Sequence, residues 1–204
     1  MAVRAVAFDV GGVLERVAPR EHWLGPWQES LGLDAAEFAS ALARVDPDGG
    51  IGTGALTEAA YRRRFADELG PSAAQTDEFM AGMWRWYCGE LDQELMAYAA
   101  SLRPRHATAI LSNSSDGARR EEQARYSFAE SFDVIIYSHE VGLVKPDSRI
   151  YALLCAELNV PAADLVFLDD VPENVEAACR FGIRGILHRN TAESIAAIDA
   201  LLVG

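Results

Sequence analysis

Six residues draw attention by type and by where they fall: Asp9, Ser112, Asn113, Lys145, Asp169 and Asp170. Asp9 closes one short apolar run, Ser112 and Asn113 close a second, Lys145 follows a third, and the Asp169-Asp170 pair closes a fourth. Carboxylate oxygens are hard ligands that suit Mg2+, an ion that keeps several waters and takes one or two carboxylates besides substrate oxygens. Carboxylates packed together without a cation repel, so Asp9, Asp169 and Asp170 together predict a metal. Asp9 could then attack phosphorus while Lys145 and the metal neutralise charge on the transferring group, with Ser112 and Asn113 donating to the remaining phosphoryl oxygens. Singly, each of these residues also reads as a cap or turn residue. Their common placement at strand ends is what makes them a site.

Lys145 is set apart in a second way. It is the one lysine among 18 basic residues, which leaves 17 arginines. Arginine presents a planar fork and lysine a compact point charge, so a position that must approach single oxygens closely resists the exchange.

The elements that would position these residues follow from the apolar pattern. Buried strands are predicted at 6–9, 108–112, 134–137, 165–169 and 185–188, with helical stretches between the last four. Ile150, Leu153, Leu154 and Leu158 share one helical face, and the next helix starts near Pro172-Glu173 and stops at Phe181-Gly182. Such alternation predicts an α/β fold: a Rossmann-like parallel sheet with helices on both faces, where ligands bind at the carboxyl ends of the strands. Residues 16–89 break the alternation. Phe38, Ala41, Leu42 and Val45, then Tyr61, Phe65 and Leu69, then Phe79, Met83 and Trp86 fall at helical spacing. The reading is therefore a core of 1–15 and 90–204 carrying a helical insertion at 16–89. All four tryptophans lie in that insertion, where their first expected use is to fill its core.

Composition narrows the function further. A net charge of −13 disfavours a nucleic-acid partner, and the arginine clusters at 62–64 and 119–120 read as solvated helix faces. No apolar run is long enough to span a membrane, and the first residues do not read as a secretory signal, so a cytoplasmic location is expected. Cys88, Cys155 and Cys179 are odd in number and lack metal-ligand spacing, which fits a reducing compartment. Cys155 and Cys179, among alanines and leucines, are expected to be buried.

Four segments resemble the haloacid dehalogenase (HAD)-like hydrolase superfamily, in the members with a helical cap inserted after the first strand. They are 7–14 (AFDVGGVL), 110–113 (ILSN), 142–147 (GLVKPD) with Ile150-Tyr151, and 167–170 (FLDD) with Asn174 and Ala177. The resemblance implies that Asp9 is the nucleophile forming an aspartyl-phosphate and also binds Mg2+, that the Gly11 carbonyl is a metal ligand, and that Asp170 and Asp169 complete the metal site. It implies phosphate binding by Ser112 and Lys145, with Lys145 also orienting Asp9, and a substrate-binding set of Gly11, Gly12, Ser112, Asn113 and Lys145. A phosphatase acting on a small phosphorylated metabolite is the expected activity.

One position departs from the pattern. Phosphatases of this family usually carry a second aspartate two residues after the nucleophile, as acid and then base; here it is Gly11. Losing a general acid/base costs on the order of a hundred- to ten-thousandfold in rate. Glu15, His22 and Glu173 are candidate substitutes by position, although each also reads as a surface residue. Relatives that use a Schiff-base lysine from the cap are disfavoured, because 16–89 contains no lysine. Two alternatives remain: a 2-haloacid dehalogenase, which needs no metal and would leave Asp169-Asp170 unexplained, and a catalytically weak member that binds a phosphorylated ligand.

Overall fold

The computed structural model describes residues 2–203. In chain order the elements are β1 (Ala5–Phe8), β2 (Glu15–Arg16), α1 (Glu21–Leu31), α2 (Ala35–Val45), α3 (Gly50–Thr53), α4 (Glu58–Leu69), α5 (Ala73–Tyr87), β3 (Glu90–Leu91), α6 (Gln93–Leu102), β4 (Ala107–Ser112), α7 (Ala118–Tyr126), α8 (Phe128–Ser131), β5 (Val134–Tyr137), α9 (Ser138–Val141), α10 (Ser148–Leu158), a 3-10 turn (Ala162–Asp164), β6 (Leu165–Asp169), α11 (Pro172–Phe181), β7 (Arg184–Leu187) and α12 (Thr191–Leu202).

Five strands form one parallel sheet in the order β5-β4-β1-β6-β7. Strand β1 is apolar throughout and wholly buried, as a strand covered on both faces must be. Successive side chains leave it on opposite sides. Val6 and Phe8 pack with Leu95, Ala99 and Leu102 of α6 and Ile198 of α12. Ala5 and Ala7 pack on the other face with Ile150, Tyr151, Leu154 and Leu158 of α10 and Ala177 and Ala178 of α11. Each large apolar side chain so buried contributes about 1.5–3 kcal/mol. The α/β, Rossmann-like architecture expected from the sequence is the one observed.

Between β2 and β3 the chain runs through α1 to α5, which have a hydrophobic cluster of their own around Phe38, Phe65, Phe79 and Trp84. Two of these helices start on capping boxes, Asp34 with Glu37 and Ser72 with Gln75, and each box satisfies backbone N–H groups that the first turn leaves free. The short antiparallel pair Glu15↔Leu91 and Arg16↔Glu90 ties the two ends of this excursion together. Of the four tryptophans only Trp84 is fully buried, its Nε1 donating to Glu58 at 2.6 Å; Trp23, Trp27 and Trp86 are half-buried, and Trp86 stacks on Trp23.

Two expectations are corrected. Cys155 is half-buried and Cys179 exposed, while Cys88 is the buried thiol; alanine neighbours mark a helix but not which of its sides faces inward. All three are free. Among the described residues, no helix is long and apolar enough to cross a membrane.

Candidate active site

Strand β1 lies between β4 and β6, so strand order runs outward from it in both directions and a crevice opens above its carboxyl end. Asp9 is the first residue beyond β1, and its backbone N–H donates to Leu168 O at 2.9 Å, fixing it beside β6. Ser112 ends β4 and Asp169 ends β6, which carries all three to the same edge of the sheet. Lys145 arrives differently, from the loop between α9 and α10.

That loop is clamped by Asn113. Its Nδ2 donates to Lys145 O at 2.9 Å, and Lys145 N donates to its Oδ1 at 2.8 Å. Both ends of the amide are thus engaged with the lysine main chain. The lysine side chain is almost wholly buried, and its Nζ donates to Asp9 Oδ1 at 2.7 Å, Asp169 Oδ2 at 2.7 Å and Leu111 O at 2.9 Å. Three donors meet three acceptors around one small nitrogen. A planar guanidinium has no such geometry, which gives the solitary lysine a physical reason.

Asp169 is fully buried and held on every side. Besides Lys145, its carboxylate accepts from Val171 N at 2.8 Å and from Asn174 Nδ2 at 3.1 Å on each oxygen. Asp170 is its opposite, an exposed side chain. Asp9, Asp169 and Asp170 offer oxygens that all lie within 4.8 Å of one another. Burial pushes the Asp9 carboxyl up to about 6; Lys145 opposes that rise and Asp169 adds to it. Asp170, although exposed, is also raised, by partial desolvation of its carboxyl and then by Asp169. One ammonium against three carboxylates leaves excess negative charge, and a hard divalent cation would relieve it.

The two glycines after Asp9 play different parts. Gly12 has a φ of +80°, and a Cβ there would collide with the Asp170 carboxylate, so only glycine fits. Gly11 has no positive φ, and a Cβ there would have open space around it. Backbone geometry therefore does not demand glycine at the position where the family's second aspartate usually stands.

Above this edge lies a cavity of about 400 Å³. Gly11, Gly12, Ser112, Asn113 and Asp170 contribute to it from the sheet edge, and Trp86 and Tyr87 come down from α5. Its remaining wall contains Glu15 and Glu122. Of the three substitutes proposed for the missing acid, His22 and Glu173 are exposed as expected, but Glu15 is fully buried. The correction follows from β2 pairing with β3, which turns Glu15 beneath the helical excursion. Neither of its carboxylate oxygens has a hydrogen-bond partner, and burial, then the neighbouring Glu122, push its pKa up to about 9. Glu122, on α7, escaped the sequence reading. It is fully buried; its Oε2 accepts from the Tyr137 hydroxyl, its Oε1 has no partner, and burial pushes its pKa up to about 7. The sequence offers little to find it: α7 (ARREEQARY) is polar on nearly every side, so nothing in it marks Glu122, with Ala118, as an inward position.

Residues 3–182 match the family model described as haloacid dehalogenase-like hydrolase. The chain belongs to this hydrolase family. Among its relatives, this HAD-like hydrolase is 26% identical over 221 residues to bifunctional epoxide hydrolase 2 of Sus scrofa, covering 98% of the chain but 39% of that protein. It thus spans about two fifths of that relative's length. It is 27% identical over 202 residues to phosphoserine phosphatase of Thermus thermophilus, covering 90% of the chain and 80% of that enzyme. Among solved structures, a predicted HAD-like family hydrolase from Porphyromonas gingivalis superposes with a TM-score of 0.77 at 25% identity over the whole of both chains. A HAD family enzyme of Bacteroides thetaiotaomicron, solved with magnesium and inorganic phosphate, superposes at 0.79 with 18% identity, covering 92% of this chain and 95% of that one.

Proposed function

We propose that this HAD-like hydrolase is a Mg2+-dependent phosphatase that cleaves a small phosphorylated metabolite through an aspartyl-phosphate on Asp9. The observation that carries this reading is the single ammonium, Lys145 Nζ, bonded to both Asp9 and Asp169 at 2.7 Å, with Asp170 near enough to share a cation with them. The phosphatase among the relatives supports it. In this reading 1–15 and 90–204 form the catalytic core, and 16–89 form a cap that closes over the substrate.

Asp9, Asp169, Asp170 and the Gly11 carbonyl would hold the metal. When bound, it supplies positive charge that polarises the phosphoryl group and offsets the carboxylates. The chain's own residues then divide the work. Lys145 ties up Asp9 Oδ1, leaving Oδ2 to attack phosphorus. The new Asp9–phosphorus bond forms as the bond from phosphorus to the substrate oxygen breaks, and that oxygen leaves with its electron pair and takes up a proton. Water next attacks phosphorus, the bond to Asp9 breaks, inorganic phosphate departs and the Asp9 carboxylate is restored. Ser112, buried at the end of β4, donates to a phosphoryl oxygen. Asn113 serves by holding Lys145 in place.

Gly11 supplies no proton for the departing oxygen, so the site favours leaving groups that depart readily unless another group provides one. The test is hydrolysis of p-nitrophenyl phosphate with and without magnesium. We expect turnover that requires magnesium and is abolished in Asp9→Asn; activity surviving that substitution removes Asp9 as the nucleophile.

A further inference from the structure

The wall formed by Glu15 and Glu122 holds buried oxygens that have no hydrogen-bond partner. Carboxylates are rarely buried without partners, because each buried, unsatisfied acceptor costs about 1–3 kcal/mol or more when charged. Here three carboxylate oxygens, both of Glu15 and Oε1 of Glu122, are buried without a partner, on residues that line the same 400 Å³ cavity as Ser112 and Asp170. Nearby cations are committed elsewhere: Arg125 Nη1 bonds Glu121 at 2.6 Å, and Arg119 forms a fork on Glu140 at 2.5 and 2.7 Å. The apolar and aromatic part of the cavity, Val17, Trp86 and Tyr87, can shape an occupant but cannot satisfy those acceptors.

We propose that Glu15 and Glu122 form the leaving-group subsite, and that the substrate is a phosphomonoester whose alcohol part carries further hydrogen-bond donors, hydroxyl or ammonium. This rests on the phosphatase reading and deepens it. With phosphate at Asp9 and Ser112, the rest of a small substrate occupies the remaining cavity, and its donors complete the acceptors the protein leaves open. A substrate without donors would leave those oxygens unpaired, whereas one that carries donors completes them, and the difference appears as selectivity. Selectivity thus comes from two buried carboxylates on the floor of the excursion, one on the β2 hairpin and one on α7, rather than from its helices alone.

The experiment compares kcat/KM for three phosphate esters of similar size: glycerol 1-phosphate, with two hydroxyls; 2-aminoethyl phosphate, with an ammonium; and n-propyl phosphate, with neither. At least one donor-bearing ester should exceed n-propyl phosphate by about a hundredfold or more, since a site built to hydrogen-bond a substrate group rejects the analogue that lacks it. The better of the two tells whether the wall takes hydroxyls or an ammonium. In Glu15→Met and Glu122→Met, which keep the side-chain length and remove the acceptors, that ratio should shrink to within about tenfold. Equal rates for all three esters in the native enzyme overturn the subsite while p-nitrophenyl phosphate turnover leaves the phosphatase reading standing. So does a loss on n-propyl phosphate that matches the loss on the preferred ester, because the carboxylates would then serve proton transfer rather than recognition. Absence of turnover with every ester, p-nitrophenyl phosphate included, removes the phosphatase reading and this subsite together.

Discussion

The two sides of the cavity are built on opposite terms. At the sheet edge, Lys145, Asn113, Asp169 and Asn174 bond one another so completely that the buried polar atoms of Asp169 and Lys145 are all engaged before anything binds. On the wall of Glu15 and Glu122, buried oxygens stand without partners. A set of charges fixed in advance suits a reacting group that is the same in every turnover, such as a phosphoryl group, because no reorganisation is needed when charge develops. Open acceptors suit the part of the substrate that must be recognised. The stability of the first region and the cost of the second should therefore respond oppositely to mutation.

The largest effect is expected where a partner is removed from the completed side. Lys145→Met leaves Asp9 and Asp169 buried without their cation and should lower stability without magnesium by about 3–5 kcal/mol, measured by urea unfolding. An unchanged midpoint would mean that the ammonium does not hold this edge together.

The open side should behave the other way. Unfolded, the Glu15 carboxyl loses its proton near its ordinary value of 4.5; folded, it keeps it until about 9. Between those values the native state binds the extra proton, so stability falls as pH rises through that window. Glu15→Gln has no proton to lose and should make the protein more stable at pH 8, by up to about 3 kcal/mol, while flattening the slope between pH 5 and 9. A variant less stable than the native chain at pH 8 would show that the buried carboxylate is satisfied after all.

Gly11 lies between the two sides. Because a side chain fits there, Gly11→Asp should raise kcat/KM on unactivated alkyl phosphates by about a hundredfold, with little change on p-nitrophenyl phosphate, whose leaving group needs no acid. No gain on alkyl esters would indicate that a proton donor is already in place. The smallest effect separates the neighbouring glycines. Gly12→Ala, at φ +80° and against Asp170, should cost about 1–3 kcal/mol, whereas Gly11→Ala should stay within about 0.5 kcal/mol. Thermal melts of the pair settle it.

How much of this could be read beforehand divides along the same line. The sheet edge was legible because fully buried parallel strands leave uninterrupted apolar runs, and the polar residues that end them, Asp9, Ser112 and Asp169, need no further information to be placed together. Lys145 was legible for a different reason, its isolation among arginines. The wall was not. Glu15 lies in a two-residue strand whose burial depends on pairing with Leu91, far along the chain, and Glu122 lies in a helix with almost no apolar periodicity to orient it. A carboxylate after an apolar run looks the same in sequence whether tertiary closure covers it or not. The role of Asn113 as a clamp was likewise invisible, because its partner is backbone.

The central claim is that phosphate passes through Asp9 in two successive displacements at phosphorus. It is tested most directly by hydrolysing a phosphorothioate monoester whose two non-bridging oxygens are different isotopes, in water carrying the third oxygen isotope, and determining the configuration of the inorganic thiophosphate released. Two in-line displacements, one by Asp9 and one by water, predict net retention. Net inversion would mean that water attacks the substrate directly, and would contradict the assignment of Asp9 as nucleophile.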